Sequence, residues 1–344
     1  MSADESATPL ATGYRLPAEW EPHAATWIAW PHRRQTFLGD FAAIPPAFVR
    51  LVRLLASHEP VRVIGSGAVL DDARAHLRGV ANVELLDIPT SDSWLRDTGP
   101  VFLKPPKPGP PLAVGFDFNA WGGKYPPWDA DAAVAGRIAA QLGLDNVRPG
   151  IVLEGGAIET DGEGTLLVNH RCIDDPRRNP GRSREELTDV LKQSLHIDTV
   201  LWVGGELAGD DTDGHIDQLA RFVGPGRVAA ARQPDESDPN HQPLADNLAL
   251  LNTLTDAQGR RLEVIPLDLP PRVGYRGVQL PASYLNFYVL NGAVIVPTFD
   301  HAADAAAVRT LAELFPDRTI EPFSALELIR GRGAVHCVTR DQPA

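Results

Sequence analysis

Cysteine is nearly absent from this chain: two residues, Cys172 and Cys337, in 344. Two cysteines build no disulfide framework, and a chain of this length buries a core large enough to do without one. Basic charge is also scarce. Lys and Arg number 32 against 45 Asp and Glu, a formal net charge of −13. Such a surface repels phosphate backbones, which excludes nucleic acid as an expected partner, while its field draws in small cations. No stretch approaches the ~18 consecutive apolar residues of a membrane span. The opening MSADESATPLATG is acidic and lacks the apolar centre of a secretory signal. These absences predict a cytoplasmic globular protein with no membrane or nucleic-acid attachment, and they leave homo-oligomer formation open.

What is present is periodic. AIPPAFVRLVRLLASHE is amphipathic, with Leu51, Leu54 and Leu55 on one face, and the apolar run VRVIGS follows it. The same order, helix then strand, recurs in DADAAVAGRIAAQLGL with IVLEGG, and in SREELTDVLKQSLHI with TVLWVGG. It recurs again in PLADNLALLNTLTDAQG with LEVIPLD, and in HAADAAAVRTLAELFPD with TIEPF. Ser183 precedes Glu185 and Glu186 as a helix cap. Helix starts near 129, 183, 243 and 301 are about 54–60 residues apart. An extra helical stretch, AVLDDARAHLRG, fills the longer first gap.

Five such units predict a ring of repeats rather than two unrelated domains. Asn291-Gly292, inside ASYLNFYVLNGAVIVPTF, marks a hairpin, so antiparallel pairs are expected within units. The Pro-rich KPPKPGPP, residues 104–111, lies between two apolar runs and reads as a hairpin loop within one domain spanning 1–344.

Four polar stretches interrupt the pattern: DSWLRDTGP, LEGGAIE, GDDTDGHIDQLARF and the terminal AVHCVT. Cys337 near the C-terminus is ordinarily read as a small core residue on a buried strand. In a closed ring, however, the last strand completes a unit, and its thiol is held in place. His215 and Asp217, one residue apart, share a face on an extended segment.

Metal readings fail. Around Asp211 and Asp213 a calcium loop would begin at Gly209 and end at Ala220, neither of them a ligand. A two-histidine, one-carboxylate iron site, pairing His215 and Asp217 with His301 or His336, belongs on an all-β scaffold and conflicts with five αβ units.

Carboxylates around a thiol and an imidazole suit a planar guanidinium, which accepts two bidentate carboxylates. A thiolate attacks its carbon, and the histidine protonates departing ammonia and then activates water. Glu154 would orient that histidine or balance its charge.

At these residues the chain resembles the agmatine deiminase and bacterial peptidylarginine deiminase family, guanidino-modifying enzymes of the pentein fold. That fold is a five-bladed α/β propeller of ββαβ-type units. The resemblance runs through LPAEWEPHAATWIAWP, SWLRDTGP, FNAWGGKYPPWD, VLEGGAIETDGEGTLL, DDTDGHIDQLARFV, LPASYLNFYVLNG and VHCVT, in that order. It implies Cys337 as nucleophile, His215 as general acid and base, and Asp97 and Asp217 as guanidinium-binding carboxylates. Glu154 would partner the guanidinium or the histidine, and Trp94 and Asp211 would meet the substrate's tail and distal amine. It implies no metal and no cofactor.

The expected reaction is hydrolysis of agmatine, a small cationic guanidino compound, to N-carbamoylputrescine and ammonia through a covalent thiouronium. A deiminase of peptidyl arginine or another guanidino compound is the nearest alternative. An amidinotransferase would share the covalent step, and a non-catalytic ring serving as a binding platform is the reading from another class. Agmatine-specific members carry Gly-Gly-Asn-Ile-His-Cys before the thiol; here Arg332 replaces a glycine, Ala334 the asparagine and Val335 the isoleucine. Asp213 stands where asparagine is frequent. Free arginine would need a cation for its α-carboxylate, which the sequence does not place firmly; Arg332, if it faces the pocket mouth, would disfavour an ammonium and welcome a carboxylate. Asn119 and Trp121 to Lys124 match a loop near the pocket without a role. Cys172, His23 and His32 read as structural, and strand alternation turns His336 away from Cys337.

Overall fold

A computed structural model describes residues 13–344; the first residues, read above as carrying no signal, lie outside the described ones. The class is α/β. Four three-stranded sheets and one four-stranded sheet share one pairing pattern. Each begins with an antiparallel pair, and the second strand of that pair then gains a parallel neighbour reached through a helix.

In chain order, Val101–Leu103 pairs with Leu112–Val114 and then Asn146–Val147. Ile158–Thr160 pairs with Thr165–Asn169 and then Thr199–Val203. Ala220–Gly224 pairs with Arg227–Arg232 and then Glu263–Asp268. Tyr288–Leu290 pairs with Ala293–Thr298 and then Thr319–Ser324. The four-stranded sheet joins the chain's two ends. Thr339–Pro343 pairs antiparallel with His23–Ala29, which runs parallel to Val61–Gly65 and through it to Val83–Asp87. Trp27 Nε1 donates to Gln342 Oε1 at 2.9 Å, and both side chains are buried. The terminal strand is therefore stitched into the first sheet and does not fray.

The crossover helices follow from their sequences. Ile44–Ala56 opens on prolines, where missing N–H groups cost nothing, and buries Ile44, Phe48, Leu51, Val52 and Leu55 along one face. Arg184–Leu195 starts with a full capping box: Glu186 N donates to Ser183 Oγ at 3.2 Å, and Ser183 N to Glu186 Oε2 at 2.9 Å. Loss of such a cap costs about 1 kcal/mol.

Four expectations need correcting. His215 and Asp217 do not lie on an extended segment, because Ile216–Gln218 is a 3-10 turn with His215 at its start. IVLEGG does not form a sheet strand; the parallel strand of its unit is Asn146–Val147, and Gly155–Ala157 is a 3-10 turn. Val335–Val338 is one turn of helix, with the strand starting only at Thr339. Alternation therefore does not govern His336, because consecutive side chains on a helical turn lie about 100° apart rather than on opposite faces. The helix read in DADAAVAGRIAAQLGL breaks at Ala133 into Asp129–Ala132 and Val134–Leu142. No helix among the described residues is long and apolar enough to cross a membrane.

Candidate active site

The segments between sheets carry the polar residues. Leu95–Thr98 forms one helical turn before its strand and carries Asp97; Glu154 precedes the turn Gly155–Ala157; Ile216–Gln218 follows His215. With the Cys337 turn, these four segments meet. Their close approach needs glycine: a Cβ on Gly156 would lie 2.6 Å from His215 Nδ1 and 2.8 Å from Asp97 Oδ1.

His215 is fully buried, with Nδ1 3.6 Å from Asp97 Oδ1 and Nε2 3.7 Å from Glu154 Oε2. Neither ring nitrogen makes a hydrogen bond among the described residues. Burial pushes its pKa down, but Asp97, Glu154 and Asp217 together more than offset that and raise it to about 9. The imidazolium is thus the resting form at neutral pH.

Each carboxylate is held by its own partners. Asp97 accepts from Trp121 Nε1 and from Gly156 N, both at 3.0 Å. Burial raises its pKa to about 6; His215 opposes the rise, and Asp217 and Glu154 add to it. Glu154 receives Arg178 Nε at 2.8 and 3.0 Å on its two oxygens. Burial works against its charge, yet Arg178 and His215 hold its pKa low. Asp217 Oδ2 lies 2.8 Å from His336 Nδ1 and 3.5 Å from Cys337 Sγ. Asp217 is likewise held low against burial by His336, His215 and Arg221. Its Oδ1 is buried with no partner among the described residues, an acceptor left for an incoming donor.

Cys337 is 5% exposed. Burial, then Asp217 and Asp97, push its pKa well up, partly relieved by hydrogen bonds that include Asn286 Nδ2 to Sγ at 3.1 Å. In the free protein the thiol is neutral.

A cavity of about 290 Å³ opens onto this cluster, lined by Asp97 and Cys337 at its floor, Trp94 and Trp121 along its walls, and Tyr125, Asp211 and Arg332 nearer solvent. Trp94 is buried against Phe37, ring centroids 5.8 Å apart. Asp211 does not stand alone: its Oδ2 accepts from both Arg332 Nη1 and the Tyr125 hydroxyl. Asp213 pairs with Lys124 at 2.7 Å and Arg178 at 2.8 Å. Cys172 does not line the cavity; it is fully buried on a helical turn with Sγ 3.3 Å from Asn169 O and 3.9 Å from Gly214 O, its pKa driven far up by burial. His23 is buried between Glu59 at 3.1 Å and the carbonyl of Glu19 at 2.8 Å. His32 is half-buried, its Nδ1 3.1 Å from the carbonyl of Trp30.

The sequence reading left Trp121 without a role and passed over Asn286 and Glu19 among the cluster's neighbours. Trp121 sits in a loop where Ala120 and Trp121 take φ of 55° and 56°, a left-handed pair that non-glycine residues rarely adopt. Asn286 binds the thiol with Nδ2 and accepts from His336 N at 3.1 Å with Oδ1. Its signal was a polar side chain inside the apolar run SYLNFYVL. Behind His336, Glu19 joins His336 Nε2 at 2.8 Å, Arg96 at 3.0 Å and Arg221 at 2.9 Å. His336 thus touches the Asp217 oxygen nearest the thiol, and does not turn away from the site.

The family of Porphyromonas-type peptidyl-arginine deiminases matches residues 15–343. An agmatine deiminase of Ectopseudomonas mendocina is 38% identical over 360 residues, covering 98% of this chain and 97% of that one. Among solved structures, the agmatine deiminase of Enterococcus faecalis superposes with a TM-score of 0.94 at 31% identity, over 100% of this chain and 99% of its own. A putative arginine deiminase from Porphyromonas gingivalis superposes with a TM-score of 0.88 at 35% identity, over 96% and 98%. With the match spanning nearly its whole length, this chain belongs to the Porphyromonas-type peptidyl-arginine deiminase family.

Proposed function

We propose that this protein is an agmatine deiminase, a hydrolase that converts agmatine and water to N-carbamoylputrescine and ammonia in the cytoplasm. The observation that carries the reading is one buried cluster of thiol, imidazole and three carboxylates, two of whose members, Cys337 and Asp97, line the floor of a cavity. The five like-patterned sheets are read as the blades of one pentein ring, a single domain with the cluster at its centre and residues 104–111 as a loop between paired strands. The two free thiols fit a reducing compartment.

The guanidinium enters between Asp97 and Asp217, whose free lone pairs accept its N–H groups and replace the water it loses. Its positive charge, set beside Cys337, lowers the thiol pKa that Asp217 and Asp97 had raised, so substrate activates its own nucleophile. The thiol proton leaves to solvent, since His215 is already protonated, and the thiolate bonds to the guanidinium carbon. His215, already cationic, gives its proton to one terminal nitrogen; the C–N bond breaks and ammonia departs. Neutral His215 then takes a proton from water, whose oxygen attacks the thiouronium carbon. Collapse expels the thiolate, which takes up the proton of the new hydroxyl, leaving a neutral ureido group and the thiol. Glu154, pinned by Arg178, holds the imidazole ring of His215 in place throughout. Trp94 covers the methylenes, and Asp211 faces the distal ammonium.

The test is ureido-product formation from purified protein with agmatine, without added metal. Inert protein under conditions where Cys337 is reduced would sink the reading.

A further inference from the structure

Free L-arginine differs from agmatine by one group, the α-carboxylate, and the mouth of the cavity decides what that group meets. Three arginines line the cavity, Arg33, Arg330 and Arg332. Arg330 is committed to the carbonyls of Leu38 and Asp40. Arg33 is committed to the carbonyls of Tyr125 at 3.4 Å and Pro126 at 2.9 Å. Arg332 gives only Nη1 to Asp211; its Nε and Nη2 donate to no group among the described residues. The chain holds this cation there at a cost, since Arg332 has φ of 72°, a conformation glycine adopts freely.

An unaccompanied Asp211 would attract an ammonium and repel a carboxylate. Asp211 beside Arg332 presents a minus and a plus side by side, the complement of an α-amino-acid end. The pair is about a third exposed, 31% for each side chain, and ion pairs of that exposure are weak enough to open for a ligand. The ammonium then takes Asp211, and the carboxylate takes the Arg332 fork, which matches it bidentately.

We propose that Arg332 admits a second substrate class, guanidino compounds with a zwitterionic tail, L-arginine above all. This rests on the deiminase reading and names what its pocket accepts. The chemistry is unchanged: Cys337 sulfur bonds to Cζ, one terminal C–N bond breaks, and ammonia leaves with the proton from His215. The oxygen of water then displaces sulfur, giving L-citrulline and ammonia.

The test is steady-state kinetics with agmatine and L-arginine on the wild-type chain, Arg332→Gly and Arg332→Lys. Glycine suits φ of 72°, so the backbone keeps its path. Wild type is expected to form citrulline from L-arginine. Arg332→Gly should raise KM for L-arginine about tenfold, the order of one charge-assisted contact, and lower KM for agmatine by freeing Asp211. The kcat values should move little, because the tail is bound alike in ground and transition states. Lysine should restore part of the arginine preference. Wild type that deiminates agmatine but not L-arginine would overturn the inference, as would Arg332→Gly leaving the ratio of the two kcat/KM values unmoved. Turnover of neither substrate would overturn the deiminase reading and this inference with it.

Discussion

The floor and the mouth of this cavity hold similar charges under opposite conditions. At the floor and directly behind it, Asp97, Glu154, His215 and Asp217 are all buried, Asp97 alone of the four lining the cavity, and each carboxylate is fixed by named donors. At the mouth, Asp211 and Arg332 are each 31% exposed, and Asp213 shares Lys124 and Arg178. A charge without solvent interacts several times more strongly than one screened by water. The floor can therefore shift a thiol's ionisation, while the mouth can only sort tails. Substitutions should divide the same way, rates below and KM above.

The largest effect is expected at the thiol. Cys337→Ala should lower kcat by at least about a thousandfold, whereas Cys172→Ala, outside the cavity, should keep most activity. Cys337, its pKa pushed up by burial, Asp217 and Asp97, should react slowly with neutral iodoacetamide and much faster with a cationic haloacetamidine that fills the guanidinium position. Equal labelling of both cysteines by iodoacetamide, with activity retained, would place the chemistry elsewhere.

His215 comes next. His215→Asn should cost about 10²- to 10⁴-fold in kcat, the range for a general acid–base group. The kcat/KM profile should fall below about pH 6, where Asp97 takes a proton, and above about pH 9, where His215 loses one. Stability carries the same signature. Because burial is more than offset by Asp97, Glu154 and Asp217, the folded pKa of His215 is raised from 6.5 to about 9. Its contribution is thus full below the unfolded value of 6.5 and is lost as pH rises through 9. Urea midpoints of wild type and His215→Asn should converge across that window. A constant gap would mean the imidazole is neutral in the folded state.

How much of this the sequence disclosed depends on what each signal measures. Helix periodicity reports one buried face, so Ile44–Ala56 and Arg184–Leu195 were legible with their caps. IVLEGG misled because it is apolar for another reason: Ile151 and Leu153 are buried in the core with Leu112 and Leu166, while the segment makes only an isolated bridge, Val152 to Asp117. Catalytic residue types beside glycine were visible, since Gly156 must lack a side chain where His215 and Asp97 crowd it. The orientation of His336 was not, because one turn of helix and two residues of strand have the same composition. Nor was the Arg332–Asp211 pair, whose partners are 121 residues apart and meet only when the polar segments converge.

A smaller effect should come from the donor to Asp97. Trp121→Phe keeps the ring but removes the 3.0 Å hydrogen bond to Oδ2, one of the influences holding the Asp97 pKa down against burial. The acid limb of kcat/KM should move above pH 6, and kcat/KM near neutrality should fall about ten- to a hundredfold, the worth of one hydrogen bond to a charged group. An unmoved limb would detach Asp97 ionisation from substrate capture.

The smallest effect belongs to the mouth. Tyr125 is 38% exposed, donates its hydroxyl to Asp211, and sets its ring edge-on to Trp121 with centroids 5.9 Å apart. Tyr125→Phe preserves that ring contact and removes only the hydroxyl. Asp211 then keeps Arg332 as its partner and gains a free lone pair for a substrate ammonium, while losing one group that fixes its rotamer. The two consequences oppose each other, and both are screened by solvent. KM for agmatine should therefore change by less than about threefold, with kcat and both limbs of the pH profile unmoved. Initial rates at saturating and at low agmatine separate the two parameters. A hundredfold loss in kcat would show that Asp211 is coupled to the thiol chemistry, and the division between floor and mouth would fail.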